Sequence, residues 1–268
     1  MKLYNVTIGA DPEMFIVNTK NNKVVSAVGK IPGTKSKPYV ANDMPKGFAL
    51  ETDNILVEFN IPPCTTCGEF VNNIEYMKNY TRARVTSISK RYDILCASSQ
   101  HVPESQLKSK QAKEIGCDED FNVYTKSVNK KPDISGITTR TAGMHIHIGY
   151  DNKNIETSLK LIRYLDVFVG IPSILKDNDK ERRTIYGGAG CFRLTSYGVE
   201  YRSLGSAMMK DQETLIWLWY QIQKAIEAFN NNFRLPSTDT VIHIINNSDV
   251  ELAKKLVNRY SLLHEYNK

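Results

Sequence analysis

In the stretch Gly143-Met144-His145-Ile146-His147-Ile148-Gly149, residues 144–148 alternate strictly between apolar side chains and histidines. Successive side chains of a β-strand point to opposite faces, so His145 and His147 share one face and the apolar side chains share the other. Two imidazoles about 7 Å apart along a strand can serve one metal ion or one polyphosphate. A solvated sheet face is the alternative, but two of the five histidines fall in this one apolar strand. We therefore expect a ligand-binding strand here.

Carboxylates interrupt two further apolar stretches. Asp11 and Glu13 follow one apolar strand, and Glu58 lies between Val57 and Phe59. A carboxylate in such a strand is costly to bury unless it is paired or bound to metal, and hard divalent cations prefer oxygen ligands. The alternative for each acid alone is a surface position or a turn cap.

Glu51 lies seven residues before Glu58 in the same acidic stretch. An odd separation is wrong for one face of a regular strand, because side chains alternate with a period of two. A bulge or a turn must therefore intervene if both carboxylates face one site.

Arginines and a further acid cluster near residue 190. Glu200 and Arg202 share a face by alternation, and Arg183 and Arg193 flank the glycine-rich segment 186–190. An ion pair and a solvated turn are the plain interpretations. Alternatively, the acid binds metal and the planar guanidinium groups bind phosphate.

The pattern of elements predicts an α+β fold. Strands are expected over 3–8, 13–17, 23–28, 55–60 and 140–150, with strands or a hairpin in 191–204. Helices are expected after a Thr66–Glu69 capping box, after Asn154 or Asn152 and ending at Gly170 and Pro172, after Asp211, and after a Ser248–Glu251 capping box. There is no regular alternation of strand and helix, which favours a mostly antiparallel sheet. We expect one domain over residues 1–268, with 98–137 as an insertion or functional loop and 176–190 as a mobile loop.

Composition narrows the class of protein. The chain has 268 residues, a formal net charge of +6, 41% hydrophobic residues and five cysteines. No dense basic block indicates a nucleic-acid partner, and no apolar run approaches the ~18 residues that span a bilayer. Few, odd-numbered cysteines fit reduced thiols, so we expect a cytoplasmic protein, in the host cell if a phage encodes it.

In combination and order, these motifs resemble the carboxylate–amine ligases of the glutamine synthetase and glutamate–cysteine ligase superfamily. The nearest likeness is to the phage amidoligases called COOH–NH2 ligase type 2. The resemblance rests on residues 9–13, 33–35, 57–60, 143–147 and 186–204. It implies a curved, mostly antiparallel sheet forming a half-barrel, with helices on the outer face and the active site on the concave face.

The resemblance also implies a reaction and a set of roles. ATP would convert a carboxylate to an acyl phosphate, and an amine would then displace the phosphate to form an amide or peptide-like bond, with two or three Mg²⁺ ions, or Mn²⁺ in their place. Its substrates would be small-molecule or peptide carboxylates and amines. The implied metal ligands are Glu13, Glu58, His145, Glu200, Asp11 and Glu51. The implied nucleotide contacts are His147, His145 and Lys35, and the implied catalytic arginines are Arg193, Arg202 and Arg183.

Two other functions stay open. A metal-dependent phosphotransferase on the same scaffold would need the same metals and arginines but no amine. A catalytically inactive phage binding or structural protein would keep the fold alone, although a dead site has no physical reason to retain crowded like charges.

Overall fold

The computed structural model describes residues 2–113, 119–151 and 153–263. Its sheet has ten strands, and all the described pairings are antiparallel. The described strands are β1 (Thr7–Asn18), β2 (Lys23–Val25), β3 (Ala49–Asp53), β4 (Leu56–Asn60), β5 (Tyr92–Leu95), β6 (Ser99–His101), β7 (Phe121–Asn122), β8 (Ser127–Val128), β9 (Thr139–Thr141), β10 (Met144–Gly149), β11 (Cys191–Thr195) and β12 (Gly198–Tyr201). Their order in the large sheet is β3-β4-β1-β10-β12-β11-β7-β8, and β2 and β5 also pair with β1. Strands β6 and β9 form a separate pair.

Helices and strands are interspersed along the chain without regular alternation. They are α1 (Cys67–Ile88), α2 (Lys110–Lys113), α3 (Ile155–Leu165), α4 (Ile171–Ser173), α5 (Lys180–Ile185), α6 (Gln212–Asn230), α7 (Thr238–Asn247) and α8 (Val250–Arg259). Within the described ranges, each helix is too short or too polar to span a bilayer. The mixed architecture with an open, mostly antiparallel sheet confirms the predicted α+β class, and it is compatible with a curved sheet covered by helices.

Strand register gives the sheet two chemically different faces. Met144, Ile146 and Ile148 of β10 are fully buried on one face. Helix α1 contacts β1, α3 contacts β11 and β12, and α6 packs against both helices. Phe70 of α1 and Trp219 of α6 meet there with ring centroids 5.6 Å apart. Burying an aromatic side chain contributes about 1.5–3 kcal/mol, so this apolar face holds the sheet in register. The opposite face carries the acids and histidines.

Several predicted strands differ from the observed ones. Of the strand expected over 3–8, only Thr7 and Ile8 are strand, and they belong with 13–17 to a single strand, β1, which runs through Pro12. The predicted strand 23–28 stops at Val25, and 140–150 is divided into β9 and β10 around Ala142 and Gly143. Strands β3 and β5 were not predicted.

Helix termini show both confirmed and wrong predictions. Thr66 and Glu69 form the expected capping box, and Asn154 caps α3, while Asn152 lies outside the described residues. Gly170 and Pro172 do not end that helix, because a π-helical segment at Asp166–Gly170 carries it into α4. A π turn shifts the hydrogen-bond pattern by one residue, which allows the chain to continue toward a proline.

The C-terminal and glycine-rich segments also differ from expectation. Asp249, not Ser248, caps α8, and Ser248 adopts a left-handed conformation at the end of α7. The segment 176–190, expected as a mobile loop, contains α5, whose Arg182 is buried and donates hydrogen bonds to the carbonyls of Ser203 and Leu204.

Candidate functional site

Six neighbouring strands place their charged residues side by side. Glu51 of β3 lies opposite Glu58 of β4, which lies opposite Glu13 of β1. Asp11 of β1 lies opposite His145 of β10. Directly opposed residues of an antiparallel pair point to the same face, so these side chains share what we call the polar face.

The polar face continues across β12 and β11. His147 lies opposite Glu200, and Glu200 lies opposite Arg193. The polar face thus collects residues that are nearly 190 positions apart in the sequence. These registers do not include three predicted site residues, which are Lys35, Arg183 and Arg202.

Three carboxylates form an acid trio: Glu13, Asp53 and Glu58. Their nearest oxygens lie within 4.8 Å of one another, and all three side chains are buried. Glu13 Oε2 also accepts a hydrogen bond from the Gly143 amide at 2.5 Å. Asp53 was missed by the sequence analysis, although it shares a strand face with Glu51 two residues earlier.

A tight turn brings Glu51 onto this face. Strands β3 and β4 pair from Asp53 with Leu56 outward, and Asn54 adopts a positive φ of 54°. A hairpin turn reverses the chain, so residues seven apart can oppose each other directly. Glu51 and Glu58 oppose each other in this way. The hairpin is therefore the turn that their odd separation required.

Burial and mutual repulsion disfavour the charged forms of these acids. Burial, followed by the charge of Glu13, raises the pKa of Asp53 to about 7. Burial, followed by the charges of Asp11 and Glu13, raises the pKa of Glu58 well above its ordinary value. Burial likewise raises the pKa of Glu51. The ionised carboxylates of this cluster repel one another, and a bound cation would reduce that repulsion.

A second group, the mixed cluster, contains Asp11, His147 and Glu200, whose ligand atoms also lie within 4.8 Å of one another. His147 Nε2 is 2.9 Å from Asp11 Oδ1. Burial would raise the pKa of Asp11, but the charge of His147 and hydrogen bonds from both histidines outweigh it and hold that pKa well below its usual range. Burial would lower the pKa of His147, but Asp11 raises it. Both shifts favour the charged forms of this pair.

His145 lies next to the mixed cluster. Its Nδ1 is 3.6 Å from Asp11 Oδ1 and 3.6 Å from Glu200 Oε1. Its Nε2 is buried and has no hydrogen-bond partner in the part of the chain that the structure describes. A buried polar atom without a partner is costly, and a ligand or ion would satisfy it.

These observations fit divalent metal ions. The trio supplies only oxygen donors, which suit Mg²⁺, and Mg²⁺ is commonly held by one or two carboxylates together with substrate phosphates. The mixed cluster combines carboxylate oxygens with an imidazole nitrogen, a donor that several transition-metal ions accept. Glu13, Asp53 and Glu58 would hold one ion, and Asp11, Glu200 and a histidine would hold another.

Arginine groups adjoin the mixed cluster. Arg202 is buried and forms an ion pair with Glu200 through Nη1, and Arg193 Nη1 is 3.3 Å from Glu200 Oε2. Burial would lower the pKa of Arg202, but nearby Tyr186 and Glu200 raise it. The charged form of the Arg202 guanidinium is therefore favoured beside the candidate metal ligands.

Asp120 and Tyr186 position Arg202. The Tyr186 hydroxyl donates to Asp120 Oδ2 at 2.9 Å and accepts from Arg202 Nε at 2.8 Å. Asp120 Oδ2 is also 3.5 Å from Arg202 Nε. Sequence reasoning missed Asp120 because no local pattern marks it and it belongs to the segment 98–137, expected to be an insertion.

Arg183 and Lys35 differ in placement from the other predicted residues. Arg183 Nη1 donates to the backbone carbonyls of Gly187 and Ser203, and the carboxylates that act on its pKa are Asp177 and Asp166, not those of the polar face. Lys35 is exposed on the loop before β3, where its charge acts on Glu51 and Asp53.

The polar face opens into pockets at both ends. One pocket is lined by residues at the start of β1 and the end of β10, including Gly9, His147 and Gly149, together with Tyr197. The rings of His147 and Tyr197 stack with centroids 5.8 Å apart, and the Tyr197 hydroxyl contacts His147 Nδ1. The other pocket reaches Glu13, Asp53 and His145. Two ligands can therefore approach the acids from opposite directions.

Comparison with known proteins gives one match. Residues 135–235 match the family model described as phage phiEco32-like COOH-NH2 ligase type 2. The match confirms the resemblance over a segment that contains His145, His147, Arg193, Glu200 and Arg202, and it supports a carboxylate–amine ligase in general. No curated protein matches the chain.

Proposed function

We propose, from the family match over residues 135–235, that this protein is an ATP- and Mg²⁺-dependent carboxylate–amine ligase that works through an acyl phosphate. The observation that carries the proposal is the juxtaposition of the acid trio and the mixed cluster on one sheet face, followed directly by Arg193 and Arg202. Negative groups that hold cations, beside positive groups that hold phosphate, are what phosphoryl transfer from ATP requires.

The reaction has two balanced steps. A carboxylate oxygen of the first substrate attacks the γ-phosphorus of ATP, the bond to the β-phosphate oxygen breaks, and ADP leaves. The amine nitrogen of the second substrate then attacks the acyl carbon, phosphate leaves with the bonding electrons, and the nitrogen loses a proton. An unactivated carboxylate resists the second step because its charge repels the nucleophile.

The protein's own side chains would orient the transferred phosphoryl group and neutralise its charge. Bound divalent ions would supply electrostatic stabilisation of the phosphates. Arg202, fixed by Tyr186 and Asp120, would contact the phosphoryl group during transfer, and Arg193, whose side chain is 25% exposed, would reach it from the rim. A guanidinium that is already oriented stabilises a transition state without reorganisation.

The two pockets would separate the reactants. ATP would enter beside His147 and Tyr197, which places its phosphates toward the mixed cluster. The carboxylate substrate would enter beside Glu13 and His145. Transfer would then occur between the two clusters, where the polar face is most buried.

The test is phosphate release from ATP over a matrix of carboxylates and amines, with and without Mg²⁺. We expect release that requires Mg²⁺, a carboxylate and an amine, and an amide product by mass spectrometry. Glu58→Gln should abolish it, whereas Glu104→Gln, at an exposed position, should not. Release that persists in Glu58→Gln would refute the assignment, and a stable phosphorylated product formed without amine would indicate a phosphotransferase.

A further inference from the structure

Asp166 is a buried acid that has no part in the reaction described above. It is fully buried, at the first residue of the π-helical segment Asp166–Gly170. Its Oδ1 accepts a hydrogen bond from the Tyr201 hydroxyl at 2.8 Å. Burying a carboxyl is costly unless it is hydrogen-bonded, and π turns recur at functional sites. The segments that contact Asp166 therefore indicate what it holds in place.

Tyr201 links Asp166 to the polar face. Tyr201 lies between Glu200 and Arg202 in the sequence, and its side chain is fully buried on the apolar face. Alternate residues of a strand point to opposite faces, so a bond that fixes the Tyr201 side chain also fixes the backbone from which Glu200 and Arg202 project. The Arg202 amide donates to the Cys191 carbonyl at 3.0 Å, which continues the pairing of β12 with β11.

Two further segments meet at the Asp166 carboxyl. Burial raises the pKa of this carboxyl, and hydrogen bonds from Tyr201, Tyr124 and the Gly190 amide oppose that rise. Tyr124 lies between β7 and β8, and Gly190 directly precedes β11. One carboxyl therefore interacts with β12, with the β7–β8 hairpin and with the end of the glycine-rich segment 186–190.

The same three segments carry the groups that hold Arg202. Arg202 itself follows β12, Tyr186 begins the glycine-rich segment, and Asp120 precedes β7. The Tyr186 hydroxyl oxygen and Asp120 Oδ2 lie 2.8 and 3.5 Å from Arg202 Nε. Each segment that orients this guanidinium is thus also connected to Asp166.

Gly170 makes room for the contact between Asp166 and Tyr201. Its φ of −60° is open to any residue, so the backbone conformation does not require glycine. A Cβ at this position would lie 2.5 Å from the Tyr201 hydroxyl oxygen and 3.6 Å from Asp166 Oδ1. The absence of a side chain at Gly170 is therefore what lets the Tyr201 hydroxyl reach the carboxyl.

We propose that Asp166 is a positioning residue for phosphoryl transfer and acts through Tyr201 on Arg202. This inference rests on the proposed ligase function, in which Arg202 contacts the phosphoryl group. A guanidinium that is already oriented stabilises a transition state without reorganisation, and loss of a supporting contact commonly changes activity about 10- to 100-fold. Asp166 itself touches no substrate, so its loss should lower kcat and leave substrate binding nearly unchanged.

The first test needs no turnover and compares two tyrosines. Tyr201→Phe and Tyr164→Phe each remove one buried hydroxyl that donates a hydrogen bond, because Tyr164 donates to the Phe233 carbonyl at 2.8 Å. In protein labelled with ¹⁵N-arginine, hydrogen exchange of the Arg202 Nε–H group, assigned with Arg202→Lys, reports how firmly Tyr186 holds it. We expect Tyr201→Phe to accelerate this exchange about fivefold or more, and Tyr164→Phe to leave it unchanged. Equal exchange in the two variants would overturn the proposal.

The second test measures kcat and KM with ATP, Mg²⁺ and the most active carboxylate and amine of the phosphate-release matrix. We expect Tyr201→Phe to lower kcat about tenfold with KM for ATP within about twofold, and Tyr164→Phe to be neutral. In an Arg202→Lys background, Tyr201→Phe should lower kcat by less than about twofold, because its effect depends on the arginine. A full tenfold loss in that background would contradict the proposal. Absence of turnover with every pair would count against the ligase function, and the exchange comparison would still decide the role of Asp166.

Variants of Asp166 separate the hydrogen bond from the rest of the side chain. Asp166→Asn keeps an oxygen that accepts from Tyr201, whereas Asp166→Leu is of similar size and has no acceptor. We expect kcat to stay within about threefold in Asp166→Asn and to fall about tenfold or more in Asp166→Leu. Equal losses in the two variants would contradict the role of this bond. If Asp166→Leu does not fold, the comparison of Tyr201→Phe with Tyr164→Phe decides.

Discussion

Glu13 and Glu58 face each other directly across the β1–β4 pairing, with only 7% and 8% of their surfaces exposed. Burial, followed by the charges of Asp11 and Glu13, raises the pKa of Glu58, which is why Glu58 resists ionisation. The unfolded chain ionises Glu58 freely at neutral pH, so the folded protein is destabilised until a proton or a cation arrives.

Glu58→Gln should therefore stabilise the metal-free protein and remove its response to metal. We expect the free energy of unfolding to rise by roughly 1–3 kcal/mol at pH 7.5 without Mg²⁺. Adding Mg²⁺ should raise the melting temperature of the wild type and much less that of the variant. Urea and thermal unfolding, with Glu104→Gln as control, measure both effects. A destabilised variant that still responds to Mg²⁺ would contradict this explanation.

Gly33 and Gly29 offer a matched pair for the loop before β3. Both have positive φ, 87° and 73°, so alanine costs similar backbone strain at each. A Cβ at Gly33 would lie 2.3 Å from the Leu50 carbonyl oxygen, whereas at Gly29 it would meet nothing within 4 Å. Gly33→Ala should thus lower the free energy of unfolding by about 2 kcal/mol more than Gly29→Ala. Chemical denaturation of the two variants tests this, and equal losses would mean that the loop shifts without cost.

Asp120 should matter for catalysis although it lies outside the segment that matches the family. Asp120→Asn weakens the contacts that orient Tyr186 and Arg202, so we expect kcat to fall at least tenfold with little change in KM for ATP. Glu119→Gln, at the exposed neighbouring position, is the control and should be neutral. Steady-state kinetics decide the matter, and an unchanged kcat would show that Arg202 is held adequately by Glu200 alone.

Asp166 should make stability depend on pH. Burial raises its pKa to about 7, while Tyr201 donates a hydrogen bond to it at 2.8 Å. An unfolded Asp titrates near 3.9, so the folded state holds a proton that the unfolded state lacks between about pH 4 and pH 7. Across that window this group lowers the free energy of unfolding as pH rises, by at most about 1.4 kcal/mol per pH unit.

Comparison of the wild type with Asp166→Asn isolates that contribution. The stability of the wild type relative to the variant should decline as pH increases from 4 to 7 and then level off. Urea unfolding at several pH values provides the measurement, and Asp43→Asn, at an exposed site, should give a curve parallel to the wild type. A flat difference between wild type and Asp166→Asn would show that Asp166 is ionised throughout.

Sequence alternation was sufficient to predict which side chains share a face when the residues follow one another along a single strand. Alternation correctly grouped His145 with His147 and Glu200 with Arg202, because the apolar partners of each strand must enter the core. The same rule predicted a turn or bulge between Glu51 and Glu58. It could have found Asp53, which alternates with Glu51, had β3 been recognised as a strand.

Contacts between distant segments were beyond such patterns. Asp120 meets Arg202 only because β7 pairs with β11, and two-residue strands leave no periodic signal. Arg182 and Arg183 are adjacent in sequence, and only the packing of α5 decides that both donate to backbone carbonyls instead of facing the acids. The continuation of α3 beyond Gly170 likewise depends on a π turn that residue propensities do not indicate.

The hairpin formed by β3 and β4 has a consequence for how the protein is made. The acid trio draws all its members from residues 13–58, whereas the mixed cluster needs Asp11 together with His147 and Glu200. During synthesis the ribosome therefore releases every donor of the first cluster long before the last donor of the second. A nascent chain can therefore contain all three carboxylates of the acid trio early, whereas the mixed cluster can form only after about three-quarters of the polypeptide has emerged.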